Sequence, residues 1–200
     1  MKKIILFSFI LQALTIAAQS RRPARMAQVF VNGYYVNVKG DTVKGKVQIN
    51  PDDEIEFYKQ FAFLAPKSKK SKSFTTSSRI KGYGFENRDF VMVDYQGEKL
   101  FVERLAMGRL RFYEMRFHGK IDGNPAIESA YFIKDTGAEG EEKYLGEIRK
   151  ISTKYYKKAL KPYLKDQLMI WSDLDKYTFN EQTLLNAIKE FNAYYATTAN

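Results

Sequence analysis

Gly33-Tyr34-Tyr35-Val36-Asn37-Val38-Lys39-Gly40-Asp41-Thr42-Val43-Lys44-Gly45-Lys46-Val47-Gln48-Ile49 holds the clearest local structure in the chain. Tyr34, Val36 and Val38 alternate with Tyr35, Asn37 and Lys39, the period of two that marks a strand with one buried face. Gly40-Asp41 offers a turn, and Thr42 to Ile49 runs back. A two-residue loop there sets Lys39 opposite Thr42, Val38 opposite Val43, Val36 opposite Gly45 and Tyr34 opposite Val47. That register collects the valines on one face and the lysines on the other.

Similar signals continue downstream. Asp52, Asp53, Glu54 and Glu56 follow Pro51 and lead into a strand expected over Phe57–Leu64. Pro66 to Lys72 reads as a polar loop with four lysines, and strands are expected at Arg79–Phe85, Phe90–Tyr95, Leu100–Leu105 and Arg109–Phe117. A Gly-containing loop at His118–Asn124, a late strand at Ala130–Lys134 and a polar loop at Thr136–Glu142 complete a body over residues 27–147. Short strands with turns at this spacing predict an antiparallel sandwich or open barrel.

From about Arg149 the period becomes helical, giving a C-terminal part over residues 149–196 with two or three helices. On a helical wheel Lys150, Lys154, Lys157, Lys158 and Lys161 share one arc, with Ile151, Tyr155, Tyr156, Ala159 and Leu160 opposite. Pro162 should end or kink this helix. A short helix is expected over Gln167–Leu174. The last is capped by Asn180 and carries a stripe of Leu184, Leu185, Ile188, Phe191 and Tyr195. The fold class is α+β in a single domain over residues 21–200.

Residues 1–20 carry a different message. Lys2 and Lys3, an apolar run from Ile4 to Ile16 and the small residues Ala17-Ala18 before Gln19-Ser20 read as a cleaved secretory signal peptide. The run falls short of the ~20 apolar residues a membrane span needs, and no later stretch reaches it. The expected location is the periplasm or outer-membrane surface of a Gram-negative bacterium.

Composition narrows the chemistry. The absence of cysteine removes disulfides, thiolate metal sites and any thiol nucleophile, and a single histidine, His118, rules out a multi-histidine zinc site. No cofactor is expected. The net charge of +10, or +8 without Lys2 and Lys3, favours anionic surfaces. With an export signal, the partner expected is an envelope protein or anionic polymer, with peripheral membrane contact open and nucleic acid excluded. Fifteen Phe and fourteen Tyr suit half-buried strand faces.

The order of these features resembles a group of exported Bacteroidota proteins to which no activity is attached. The residues that carry the resemblance are Gly33-Tyr34-Tyr35-Val36, Gly40 to Val47, Leu105-Ala106-Met107-Gly108-Arg109-Leu110-Arg111-Phe112-Tyr113, Tyr131-Phe132-Ile133 and the helix ending Phe191-Asn192. It implies a β-rich body, a helical tail and an envelope location, and it carries over no catalytic residue.

Three functional readings follow. The first is a non-catalytic binding protein whose anionic-partner face is Lys150, Lys154, Lys157, Lys158 and Lys161; the plainer view of these residues is a helix docked by its apolar side. The second is a hydrolase of glycans using carboxylates such as Asp53 or Glu56, against which stands a polar turn after Asn50-Pro51. The third is a small-ligand carrier with a cavity inside the barrel. His118 lacks a nucleophile and an orienting acid in any recognised spacing, and Asp173 and Asp175 lack the rest of a calcium loop.

Overall fold

The computed structural model describes residues 29–137, 148–164, 167–176 and 180–198. The expected signal peptide and most of the Thr136–Glu142 loop lie outside the described residues. Among the described residues ten antiparallel strands form one sheet: β1 (Val29–Asn37), β2 (Thr42–Ile49), β3 (Gln60–Leu64), β4 (Lys72–Thr75), β5 (Ile80–Phe85), β6 (Arg88–Tyr95), β7 (Glu98–Ala106), β8 (Leu110–Ile121), β9 (Asn124–Asp135) and β10 (Ile148–Ile151). Their order is β10-β9-β8-β7-β6-β5-β1-β2-β3-β4. The sheet curls into a half-barrel, and three helices follow: α1 (Tyr156–Leu164), α2 (Leu168–Lys176) and α3 (Glu181–Thr198). This is the α+β, open-barrel form of the expectation.

The first hairpin exists, but its register differs. Val36 pairs with Thr42, Tyr35 with Val43 and Gly33 with Gly45. The loop is Val38-Lys39-Gly40, with Gly40 at φ 98°, a three-residue loop ending in a left-handed glycine. Asn37 fixes it: its side-chain oxygen accepts from the backbone N–H of Lys39 (2.9 Å) and Asp41 (3.0 Å). The shift of three residues turns β1 over, so Val31 and Tyr35 face the core while Tyr34 faces outward to Asp89. Gly33 and Gly45, opposite each other, are needed as glycines. A Cβ on Gly45 would lie 2.4 Å from the Phe63 ring, and one on Gly33 would lie 2.5 Å from the Gly84 carbonyl oxygen.

Two layers cover the concave face. Over β1–β7 it is filled by aromatic rings. Phe61 stacks on Tyr83 (3.8 Å between centroids) and Phe74 (5.1 Å), and Tyr83 stacks on Phe90 (4.8 Å). A 3₁₀ turn, Glu54–Tyr58, inserts Ile55, Phe57 and Tyr58. Adjacent buried residues cannot lie on one face of a strand, so the strand expected from Phe57 begins only at Gln60. Strand β4, absent from the sequence reading, pairs Phe74 with Phe61.

Over β7–β10 the three helices supply the cover, packing Leu160, Leu164, Leu174, Leu184 and Ile188 against Leu110, Phe112, Ile133 and Ile151. The last helix meets its expectation. Asn180 accepts from the N–H groups of Gln182 (2.8 Å) and Thr183 (3.3 Å). Asn192 then anchors α3: its side-chain oxygen accepts from Leu110 N–H (2.8 Å), and its amide donates to the Met107 (3.0 Å) and Leu110 (2.8 Å) carbonyls. Gly108, at φ 138°, leaves the room, since a Cβ there would lie 2.5 Å from Asn192.

The expected helix from Arg149 is corrected. Residues Ile148–Ile151 are β10, paired with Tyr131–Lys134. An uncovered β9 edge would leave backbone donors and acceptors unpaired, a stronger demand than a weak helical period. Pro162 lies within α1, and the helix stops two residues later at Leu164. The loop expected at His118–Asn124 is instead the end of the β8–β9 hairpin, closed by Asp122-Gly123.

Candidate functional site

Charge on this molecule divides by residue type. Arginines make the structural ion pairs. Arg88 grips Glu103 through two bonds (2.9 and 2.6 Å), and Tyr58 donates to the same carboxylate (2.9 Å). Arg116 joins Glu114 (3.0 Å) to Glu54 (3.1 Å) of the 3₁₀ turn, while the Ser129 hydroxyl also donates to Glu114 (2.6 Å). Arg104 pairs with Asp89 on the opposite face. Burial and the neighbouring Glu103 carboxylate raise the Tyr58 phenol, and the hydrogen bond to Glu114 raises Arg116, so each pair holds its ordinary charge state. Glu103 and Glu114 face each other across β7 and β8, yet each is committed to an arginine.

Several lysines stand outside these pairs. Lys44, Lys46, Lys67, Lys69, Lys70, Lys150, Lys158 and Lys161 make no ion pair among the described residues. The five lysines expected on one helical arc are divided: Lys150 lies on β10, Lys154 precedes α1, and Lys157, Lys158 and Lys161 are on α1. Lys154 rests 5.4 Å from the Tyr155 ring centroid.

A different set converges. β2 pairs with β3 only at Lys46–Leu64 and Val47–Phe63. The next partners would be Gly45 with Ala65 and Lys44 with Pro66. Proline has no N–H to give a ladder, and Ala65-Pro66-Lys67-Ser68 turns away through a Ser68 N–H bond to the Ala65 carbonyl (3.0 Å). Where the strands part, the outer face opens into a groove of about 400 Å³ lined by Asn32, Lys44, Lys46, Leu64, Pro66 and Lys67, among others. No carboxylate among the described residues lines it. The sequence reading found the lysine-rich loop but did not bring it to β2; the signal it passed over was Pro66 against the alternation of Lys44 and Lys46.

The carboxylates named for hydrolysis serve the 3₁₀ turn. Asp53 accepts from Ile55 N–H (3.2 Å), and Glu56 accepts from the Gln60 side chain (2.9 Å). Glu56 lines a depression of about 80 Å³ in which it is the one carboxylate. His118 is exposed on β8 opposite Ile127, and Asp173 and Asp175 fall on α2. The barrel interior over β1–β7 is packed by the aromatic cluster. No helix among the described residues is long and apolar enough to cross a membrane.

Comparison with protein families, characterised proteins and solved structures finds no match to this chain. Gly33 and Gly45 lie at packing junctions beneath Val47 and Phe63, and Gly108–Leu110 lie beneath Asn192.

Proposed function

We propose that this chain is an exported, non-catalytic binding protein of a Gram-negative envelope that recognises an anionic partner. The observation that carries the reading is that Lys44, Lys46 and Lys67 line one groove with no carboxylate among the described residues, while Arg88, Arg104 and Arg116 pair with Glu103, Asp89 and Glu114 elsewhere. Converging cations without a counter-ion repel one another and are relieved by a bound anion. The Lys2-Lys3 start and the apolar run to Ile16 support export, and the resemblance supports the envelope location. The carboxylate-hydrolase reading draws less support, because Asp53 and Glu56 are tied to local hydrogen bonds.

The test is crosslinking of the tagged protein in cells, with mass spectrometry of what is captured. Two charge-reversed sets are compared, Lys44→Glu with Lys46→Glu, and Lys157→Glu with Lys158→Glu and Lys161→Glu. Loss of a captured partner in the first set supports the reading. Capture unaffected by either set contradicts its electrostatic basis.

A further inference from the structure

We propose that the groove between β2 and the Ala65–Ser68 turn binds a monomeric anionic amphiphile, a phosphate or carboxylate headgroup carrying a single alkyl chain. The inference rests on the anionic reading of the same groove and narrows it to one ligand class. Three observations point there. The volume, about 400 Å³, falls in the range of small-molecule sites. The lining is divided in kind: Lys44, Lys46 and Lys67 offer cationic donors, while Leu64, Ala65 and Pro66 offer aliphatic surface. An inorganic anion would leave that aliphatic surface wet, and a sugar would find no aromatic ring among the lining residues to stack on.

The third observation is backbone strain. Lys67 has φ 65°. It follows Pro66 in a four-residue turn whose third position requires positive φ and is ordinarily Gly or Asn. The two-residue hairpin loops Gln96-Gly97 and Asp122-Gly123 use positive φ to reverse a strand directly; Lys67 lies in the longer connection, 65–71, between the antiparallel strands β3 and β4. Here a left-handed position on the groove rim carries a long cationic side chain where glycine would be easier, which beside the groove's lining motivates a role for Lys67 in binding. The Ser68 hydroxyl secures the rim by accepting from Lys70 N–H (3.2 Å) and donating to the Lys70 carbonyl (2.8 Å).

The experiment titrates the exported protein with dodecyl phosphate below its micelle concentration, with inorganic phosphate and dodecyl maltoside as controls and with phosphatidic-acid vesicles as a separate arm. The expected result is saturable one-site binding of dodecyl phosphate. It should weaken roughly tenfold in Lys44→Gln with Lys46→Gln, the scale of a lost charge-assisted contact. Lys67→Gly should weaken binding while raising the melting temperature, a combination that a purely structural lysine would not give. Equal binding of inorganic phosphate would overturn the amphiphile and leave an anion site standing. Equal binding of the maltoside, binding to vesicles alone, or unchanged affinity in Lys67→Gly would also overturn it. Absence of binding by every anion would remove both readings.

Discussion

One concave face is covered in two ways. Over β7–β10 the cover is three helices presenting mainly aliphatic side chains, Leu160, Leu164, Leu174, Leu184 and Ile188. Over β1–β7 the sheet curls over without closing, and its hollow is filled by rings, Phe57, Phe61, Phe74, Tyr83, Phe90 and Phe101 among them. A helix brings its own satisfied backbone and needs only a stripe to dock. A sheet curling onto itself must bridge a layer of about 10 Å, and large flat side chains do that with few residues. The same division extends outward. The helical region spends its polar contacts on docking, as at Asn192 and in the Tyr131–Glu181 hydrogen bond (2.8 Å). In the strand-curled region the outer face carries the Tyr34–Asp89–Arg104 contacts, and Lys44, Lys46 and Lys67 make no ion pair there among the described residues.

The largest expected effect tests the aromatic filling. Phe61→Ala should cost about 3–5 kcal/mol, read by denaturant unfolding, because Phe61 contacts Tyr83, Phe74 and Phe101 at once. Leu160→Ala, in the helical cover, should cost about 2–5 kcal/mol. A Phe61→Ala loss below that of Leu160→Ala would break the comparison, since the aromatic layer would then not be what holds the curl.

Asn192→Ala should cost about 2–3 kcal/mol, because Leu110 N–H is left buried without its acceptor. Hydrogen exchange should then quicken first in α3, and quickening in β1–β3 instead would show that the two regions share one anchor. Lys67→Gly should stabilise by about 1 kcal/mol, the cost of a left-handed L-residue; a destabilisation would mean that the lysine is structural.

The smallest effect is on alkaline stability. Burial, reinforced by Asp89 for Tyr34 and by Glu181 for Tyr131, pushes both phenols up to about 12 from an ordinary 10. The folded chain therefore holds these protons more tightly than the unfolded one. Their contribution is whole below pH 10 and is lost as pH climbs toward 12. Tyrosinate absorbance should show Tyr34→Phe and Tyr131→Phe each removing one late-ionising group. A late group removed by one substitution only would assign the protective environment to one region alone.

Much of the fold was legible in residues whose local and global demands agree. The strands expected at Phe90–Tyr95 and Leu100–Leu105 fall within β6 and β7, and the Asn180 cap with the Leu184–Tyr195 stripe marked α3. The failures share a cause, the precedence of distant pairing over local pattern. Asn37 and Gly40 set a longer first loop than Gly40-Asp41 suggested, which inverted β1. An open β9 edge claimed Ile148–Ile151 as a strand, separating Lys150 from Lys157, Lys158 and Lys161. Ile55, Phe57 and Tyr58 gathered in the core by leaving the strand period. The candidate groove was illegible for the same reason. Lys44 and Lys67 are 23 positions apart, and only the parting of β2 from β3 at Pro66 brings them together.

The central claim is that the anion-binding surface belongs to the strand-curled region and that the helical region supports it. Backbone amide shift mapping of the labelled protein during a dodecyl phosphate titration tests this directly. The account predicts saturable shifts confined to Asn32, Lys44–Lys46 and Leu64–Ser68. Shifts centred on Lys157, Lys158 and Lys161, or spread evenly over the surface lysines, would contradict it.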